Sequence, residues 1–497
     1  MSDVKTSVIV LANTILGTGL LSIPYAIKSD GLTLGIILVV ASACTSAFGL
    51  YCLAVAAKFA VPGHASFFAL SKLTVPQLGI VFDLAIAVKC FGVACSYLIV
   101  IGDLMPQIVT SLVDSEFLQD HDYLASRTLW ITVFLIIILP LVYKRNLDSL
   151  RTASLIALAS VVYLVILVIV HFVHILFGGK ENIIKGDIHY FKPASLPAVL
   201  SAFPILVFGF TCHQNQFSVI NELGDRSQSN INKIISLTIG SACILYVVVG
   251  VSGYLTFGDN VAGNIITMYP DSVTTTIGRI AIVILVALSY PLQSNPARQS
   301  FNHVAYYIHE SNLARSVRSL RKSISRSASV STFSSNTSSV VDERRSLINI
   351  RQQAQLQQQL QQQLQENVFL EPENNETPFI DDTDVVREEI QESGAGEKYV
   401  ELTNTKLIVI TTIIVILSYL ISISVDSLAR VLAIVGATGS TSISFILPGF
   451  FTYKLLGSDG TLLSYKDRII KYSALALSIW GFVVMFVCLT ATLFLDH

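Results

Sequence analysis

Two apolar stretches of this sequence contain residues that can open a gap in a membrane helix. The first reads NTILGTGLLSIPYA (13–26), in which Gly17 and Gly19 let the backbone leave the helical conformation and Pro24 lacks an amide donor. The second reads FGFTCHQNQ (208–216) and places polar side chains at the centre of an apolar run. Inside a bilayer, interrupted helices occur only where protein or water satisfies the backbone. The two stretches therefore predict two helix gaps.

A pair of such gaps has the chemistry to hold a zwitterion. The helix that begins at a gap presents amide groups, which attract a carboxylate, and the helix that ends there presents carbonyl groups, which attract an ammonium group or a cation. Taken singly, a Gly-x-Gly motif can serve close helix packing, and a polar stretch can be a hydrogen-bonded core. The gaps fall in the first and sixth spans, the matching positions of two inverted five-helix halves, which favours a transport site. We assign Phe208, Thr211 and His213 to this site.

A lysine stands in the middle of the third apolar span. Lys89 would cost about 2.5–3.5 kcal/mol to insert at that depth, so it calls for a partner or a function. Three functions are open: a fixed positive charge in place of a coupling cation, a titrating relay, or attraction for an acidic side chain of the substrate. The structural alternative is an ion pair with Glu222 or Asp83.

A histidine lies inside the second gap. His213 belongs to the residue type that titrates near neutral pH, so it could sense or carry a coupling proton. It could equally be a hydrogen-bonded filler of a polar core. Both interpretations are open at the level of the sequence.

The composition is that of a membrane protein. Of the 497 residues, 52% are apolar and 13% are charged, and the mean hydropathy is +0.64. A soluble domain carries about twice that charged fraction. All seven cysteines lie within apolar runs, so we expect neither a disulfide framework nor a cysteine metal site. The basic residues form no single stripe, which argues against nucleic-acid binding. We find no nucleophile–base pair in the sequence that would indicate an enzyme.

Eleven apolar runs approach the roughly 20 residues that cross a hydrocarbon core. They cover residues 6–27, 31–57, 78–109, 128–143, 152–177, 196–220, 234–257, 274–297, 406–424, 428–453 and 472–494. With the N-terminus in the cytosol, the short cytosolic segments hold twelve Lys and Arg residues and the opposite side holds seven. The positive-inside rule therefore predicts a cytosolic N-terminus and a C-terminus on the opposite side. The expected fold class is an all-α integral membrane protein with eleven transmembrane helices.

A polar loop divides the chain into two membrane parts. We predict spans one to eight in residues 1–299, a disordered cytosolic loop in 300–404, and spans nine to eleven in 405–497. The loop is rich in Ser and Arg, then in Gln, and finally in acidic residues, so it cannot bury enough apolar surface to fold. It is either an inert linker or a regulatory loop, in which phosphorylation of Ser329 would invert the local charge.

Several segments resemble the amino acid/auxin permease superfamily. They are NTILGTGLLSIPYA (13–26), FDLAIAVKCFGVACSYLIVIGD (82–103), TCHQNQFSVINE (211–222), LTFGDNVAGNI (255–265) and VLAIVGATGSTSISFILPG (431–449). The resemblance covers all eleven spans and fails only in the 300–404 loop. Within the superfamily the chain looks most like the fungal vacuolar amino acid transporters, and more distantly like the animal sodium-coupled neutral amino acid transporters.

The resemblance implies a LeuT-like fold, in which inverted five-helix repeats carry broken helices 1 and 6. It also implies proton-coupled symport by alternating access at the vacuolar membrane. Amino acids, acidic or neutral, would leave the lumen for the cytosol, with the N-terminus cytosolic and the C-terminus lumenal. The rival hypothesis is a membrane receptor that senses amino acids in the same pocket and signals through the cytosolic loop. Neither function needs a cofactor.

The resemblance further implies roles for residues of the first span. The backbone amide groups of Gly17, Thr18 and Gly19 would bind the substrate carboxylate. Asn13 matches an asparagine at the cation site of the animal family, and its side chain would reach a cation or the substrate.

Four residues are candidates for binding or carrying the coupling ion. Ser289, in LSYPLQSNPAR (288–298), falls where the animal relatives carry a hydroxyl group that helps to hold sodium. The other candidates are Asn13, Lys89 and His213. Protons are the coupling ion that the fungal resemblance implies, and the residues themselves leave sodium open.

Overall fold

The computed structural model describes residues 3–144, 151–178, 183–331, 402–458 and 463–495, and the regular structure of this part is almost wholly helical. The helices are α1 (Val4–Ile15), α2 (Thr18–Asp30), α3 (Leu32–Ala57), α4 (Phe67–Thr74), α5 (Gly79–Leu112), α6 (Ser115–Asp120), α7 (Arg127–Val142), α8 (Arg151–Leu176), α9 (Leu196–Gly209), α10 (Gln216–Glu222), α11 (Gln228–Phe257), α12 (Val273–Ser331), α13 (Asn404–Ser424), α14 (Leu428–Val435), α15 (Leu447–Leu455) and α16 (Tyr465–Thr490). Two π-helical turns, Gly436–Ser440 and Ser442–Ile446, join α14 to α15.

The lengths of these helices suit a membrane protein. Within the described ranges, nine helical segments are long and apolar enough to cross a membrane, and the bent pair α1–α2 makes a tenth. Helix α7 occupies the region predicted as span 128–143, and its 16 residues extend over about 24 Å. That length is shorter than the roughly 30 Å of a hydrocarbon core. The count of eleven spans therefore stays a prediction.

Helix α12 is longer than the sequence predicts. It runs from Val273 to Ser331, whereas we expected the eighth span to end at 297 and the disordered loop to begin at 300. Residues 298–331 contain neither Gly nor Pro, so no residue of that stretch ends the helix. Most of the remaining loop, residues 332–401, lies outside the described residues. The chain divides into one unit of Met1–Tyr306 with Val400–His497 and a second of Tyr307–Tyr399.

The helices around the two predicted gaps pack closely within the first unit. Helix α2 contacts α9, α11 and α3, and α14 contacts α9 and α5. A continuous cluster of buried apolar side chains runs through α1, α2, α5, α9 and α11. The small residues of the π-helical turns allow a close approach to α5, because a Cβ atom on Gly439 would lie 2.7 Å from the backbone nitrogen of Lys89. These contacts place the third span directly beside the tenth.

Candidate functional site

The first span is interrupted near the Gly-x-Gly motif. Helix α1 ends at Ile15, α2 begins at Thr18, and the two axes are bent by 57°. Between them, Leu16 and Gly17 have non-helical backbone angles. The first amide groups of α2 have no acceptor within their own helix. The amide of Gly17 differs, because it donates to the carbonyl oxygen of Ile15 at 3.0 Å. Two of the three predicted carboxylate donors, Thr18 and Gly19, thus belong to an open helix start.

The sixth span is interrupted at the second polar stretch. Helix α9 ends at Gly209, and α10 begins at Gln216 after a short 3₁₀ turn. The amide of Thr211 donates to the carbonyl oxygen of Phe208 at 3.1 Å, which closes the last turn of α9. Residues 210–212 leave the helix at the position where the sequence changes from apolar to polar. Local composition therefore decides where this helix ends.

The two interruptions lie against each other. A Cβ atom on Gly19 would be 3.0 Å from the Cα atom of Gly209 and 3.4 Å from the ring of Phe208. Both backbones need a residue without a side chain to come this close. The N-terminal end of α2 and the C-terminal end of α9 therefore meet in the protein interior, where a carboxylate and an ammonium group of one small molecule could each find a complementary helix end.

A tyrosine that we did not assign from the sequence bridges the two interruptions. The hydroxyl group of Tyr246 on α11 lies 2.8 Å from the carbonyl oxygen of Ile15 and 2.8 Å from that of Gly209. These are the last residues of α1 and α9. The Tyr246 side chain is 0% exposed, and its ring packs on Phe210 with centroids 4.9 Å apart. One hydroxyl hydrogen is thus shared by two buried acceptors. The sequence gives no sign of this role, since Tyr246 is one tyrosine within a long apolar run.

Polar side chains from two other helices surround the first interruption. A Cβ atom on Gly17 would lie 3.7 Å from the hydroxyl oxygen of Tyr97, which in turn interacts with the side chains of Ser289 and Gln293. The side-chain oxygen of Gln293 is buried and has no hydrogen-bond partner in the described part of the chain. Tyr97 and Gln293 were missed in the sequence, although Gln293 follows Ser289 by one helical turn. The Tyr97 hydroxyl group thus lies beside both the predicted cation ligand Ser289 and the side chain of Gln293.

The end of α1 and the start of α2 contribute further polar atoms. The Oδ1 atom of Asn13 is buried and without a partner among the described residues. Beside it in sequence, Thr14 accepts a hydrogen bond from the side chain of Asn215 at 2.8 Å, which ties α1 to the turn after the second interruption. The hydroxyl group of Thr18 lies 3.0 Å from that of Ser96 on α5. Of the side chains of Asn13, Thr14 and Thr18, that of Asn13 therefore has a buried acceptor oxygen without a hydrogen-bond donor among the described residues.

His213 is enclosed by protein atoms. It is 0% exposed, its Nε2 atom lies 3.2 Å from the carbonyl oxygen of Ser46, and its Nδ1 atom lies 3.1 Å from the hydroxyl oxygen of Ser444. A carbonyl oxygen only accepts, so Nε2 carries the hydrogen of this bond. The hydroxyl group of Thr211 lies 3.1 Å from that of Ser444. The Thr211 hydroxyl also donates to the carbonyl oxygen of Val207 at 2.6 Å. The side chains of Thr211 and His213 thus both bond to protein groups, which fits a structural filler.

Lys89 has no acidic partner in the described part of the chain. Its side chain is 2% exposed, and it lies near the side chains of Cys90, Cys212 and His213. Of the two partners considered in the sequence, Asp83 pairs with His303 at 3.3 Å, and Glu222 is exposed. The structural alternative of an ion pair with either residue is therefore wrong, and a buried lysine side chain stands beside the second interruption.

Comparison with known proteins gives one consistent result. A family model described as "Transmembrane amino acid transporter protein" matches residues 1–487. Vacuolar amino acid transporter 6 of Saccharomyces cerevisiae is 41% identical over 501 residues, which cover 100% of this chain and 100% of the relative. Sodium-coupled neutral amino acid transporter 7 of Danio rerio is 29% identical, with 58% of this chain and 61% of the relative covered. The chain is thus similar to both groups that the sequence motifs resemble, over its whole length to the first.

A solved structure supports the fold. The structure titled "Crystal structure of MhsT in complex with L-phenylalanine" aligns with 98% of this chain and 98% of its own, at a TM-score of 0.54 and 10% sequence identity. At that identity the likeness shows the fold alone. MhsT is a LeuT-fold transporter, so the expected all-α, LeuT-like membrane fold is confirmed, whereas the count of eleven spans stays a prediction.

Proposed function

We propose, from the premise that the chain belongs to the transmembrane amino acid transporter family, that it carries amino acids across the vacuolar membrane by alternating access. The observation that supports this most is the contact between the two helix interruptions, in which Gly19 lies against Gly209. Helix ends of opposite polarity thereby lie side by side within an apolar core. A zwitterion is complementary to that arrangement.

The carboxylate of the substrate is proposed to bind at the start of α2. Thr18 and Gly19 lie in the first turn, where amide groups lack intrahelical acceptors. The ammonium group is proposed to lie near the buried Oδ1 atom of Asn13, which has no partner in the described chain. Phe208 lines the other side, since its ring is 3.4 Å from the Cβ position of Gly19. The backbone groups common to all amino acids are thus recognised at the interruptions.

Acidic or neutral amino acids are the proposed substrates. The evidence in favour of acidic ones is Lys89, a buried lysine that has no carboxylate partner among the described residues. Placing such a charge at mid-membrane costs free energy, and a substrate carboxylate would recover part of it. A neutral substrate would leave Lys89 as a fixed positive charge beside the second interruption.

Protons are the proposed coupling ion, with export from an acidic lumen to the cytosol. The fungal relative is named for the vacuole, and proton coupling is what the resemblance to the fungal vacuolar transporters implies. The orientation is proposed from the positive-inside rule, which puts the N-terminus in the cytosol and the turn at Gly31 in the lumen. The oxygen atoms around Ser289 are the place where sodium would bind instead, so the experiment must test both ions.

The direct test is amino acid flux in vacuolar vesicles that contain the protein. We expect vesicles with an acidic lumen to release preloaded labelled amino acids, and this release to fall when the pH gradient is collapsed but not when sodium is replaced by choline. Gly19→Val should abolish the flux, because the valine side chain would clash with the backbone of Gly209, whose Cα atom lies 3.0 Å from the added Cβ atom.

A matched control is available on α11. Gly240→Val adds the same side chain where no heavy atom lies within 4 Å of the Cβ position, so it should keep the wild-type flux. The proposal fails if no labelled amino acid moves faster than in vesicles without the protein. It also fails if both glycine variants behave alike.

A further inference from the structure

A buried carboxyl group lies where the first broken span ends. Asp30 is the last residue of α2 and is 0% exposed. Neither of its carboxyl oxygens has a hydrogen-bond partner among the described residues. Burying an ionised carboxylate without a partner costs far more than burying the neutral acid, and the negative dipole end of a helix adds to that cost. Both effects favour the protonated form of Asp30 in this conformation.

The residues on either side of this carboxyl group are bonded to one segment of the chain. We call residues 183–195 the crossing segment. The amide of Leu32 donates to the carbonyl oxygen of His189 at 3.0 Å, and the amide of Ala194 donates to that of Ser29 at 3.1 Å. The crossing segment is therefore bonded to the chain on both sides of Asp30, and these bonds must break before that segment can separate from the end of α2.

The ionisable neighbours of Asp30 do not neutralise it. By position in the chain, the candidates are Tyr25 and Lys28 on α2, Tyr254 on α11, Asp259 in the turn that follows α11, and Lys185, Asp187, His189, Tyr190 and Lys192 on the crossing segment. The neighbouring helices α3 and α9 bring no acidic or basic side chain to this end. Lys28 donates to the carbonyl oxygen of Val261 at 3.3 Å, and His189 pairs with Asp259 at 2.9 Å. None of these side chains makes a described bond to Asp30.

Asp30 is too far from the helix interruption to touch the substrate. It lies twelve positions after Thr18 on one helix, a distance of about 18 Å along the helix axis. Any effect of its protonation on transport must therefore pass through the position of α2 itself. Because α2 starts at the proposed carboxylate site, movement of its C-terminal end would shift the amide groups that bind the carboxylate.

We infer that Asp30 is a proton-binding site whose protonation from the lumen permits the lumenal end of α2 to close beneath the crossing segment. The inference rests on the proposed function for its sidedness. When the lumenal side opens, Asp30 meets water and exchanges its proton with the lumen. In an acidic lumen it remains protonated and can be buried again, whereas in a neutral lumen it ionises and resists burial. The proton acts here on closure, and no transfer to the cytosol through Asp30 is required.

The test is amino acid exchange in vacuolar vesicles at a set lumenal pH, with equal substrate on both sides. For the wild-type protein, exchange should fall by up to about tenfold per unit as lumenal pH rises from about 5.5 to about 7.5, because only the protonated carrier closes. Asp30→Asn, which is permanently neutral and similar in size, should exchange at a rate that changes less than about twofold over this range. His189→Gln removes the imidazole side chain of the crossing segment, which pairs with Asp259, and should keep the wild-type dependence.

These outcomes separate the inference from the proposed function. If Asp30→Asn keeps the wild-type pH dependence, or if His189→Gln abolishes it, the inference is overturned while transport stands. If the wild-type protein exchanges no amino acid at all, the proposed function fails, and the measurement described next still decides the role of Asp30.

Thermal unfolding of the purified protein in detergent supplies that second measurement and needs no substrate. The wild-type Tm should fall as pH rises, because ionisation of Asp30 opposes its burial. The Tm of Asp30→Asn should fall less over the same range and exceed the wild-type value at the higher pH. Equal pH dependence of the two melting temperatures would overturn the inference.

Discussion

Replacing Tyr246 by Phe removes one hydroxyl group from the point where both interruptions meet. The hydroxyl oxygen lies 2.8 Å from the carbonyl oxygens of Ile15 and Gly209. Phe keeps the ring that packs on Phe210, with centroids 4.9 Å apart, so no large cavity forms. The change therefore isolates the hydrogen bonds at the ends of α1 and α9.

The size of the effect follows from burial. A buried acceptor left without its donor costs about 1–3 kcal/mol, and Tyr246 is 0% exposed. Since one hydrogen serves both carbonyl groups, we take about 2 kcal/mol for the pair, which corresponds to roughly thirtyfold in an equilibrium constant. If the bonds hold the interruptions in their binding geometry, uptake at low substrate concentration should fall by about tenfold to thirtyfold.

The assay is initial uptake as a function of substrate concentration, together with the Tm of the purified variant. Tyr290→Phe is the matched control, because Tyr290 is also 0% exposed and its hydroxyl group bonds to Ser418 at 2.6 Å, not to an interruption. We expect both variants to lose a few degrees of Tm and only Tyr246→Phe to raise KM. Equal KM values for Tyr246→Phe and the wild-type protein would refute the bridging role.

Two further predictions concern the charged and titratable groups beside the second interruption. Lys89→Met should reduce uptake of glutamate by about tenfold to a hundredfold, because a charged hydrogen bond of about 1.5–3 kcal/mol is lost. The same change should leave uptake of leucine within about twofold of the wild-type rate. Equal losses for the two substrates would contradict attraction of Lys89 for an acidic side chain. His213→Gln should keep the pH profile of transport, because both ring nitrogens of His213 bond to protein groups. The loss of these bonds should lower Tm by about 2–4 °C. A shifted pH optimum would instead assign the coupling proton to His213.

The positions of the helix interruptions could be predicted because local residues cause them. Gly17 and Gly19 permit the break between α1 and α2, and the change from apolar to polar residues at 210–212 ends α9. The family resemblance and the LeuT-like fold, both confirmed, depend on the same local motifs. The extension of α12 was missed for the opposite reason, since a polar composition indicated disorder where the absence of Gly and Pro allows a helix to continue.

Contacts between residues far apart in the chain could not be predicted from the sequence. Tyr246 is a single polar residue in an apolar run and Gln293 is one of several polar residues in LSYPLQSNPAR (288–298), and the sequence does not tell which face of a helix they occupy. Asp30 stands beside a glycine at a span end, a place where most carboxyl groups are exposed, and only the fold shows that it is buried. The ion-pair hypothesis for Lys89 chose partners by sequence position, whereas packing brought Asp83 to His303 instead.

The most direct measurement is an experimental structure of the protein with a bound amino acid. We predict that the substrate carboxylate lies within hydrogen-bonding distance of the amide groups of Thr18 and Gly19, between the start of α2 and the end of α9. An amino acid bound elsewhere, with those amide groups unoccupied, or a first span that continues as one helix through Gly17, would contradict the proposed site.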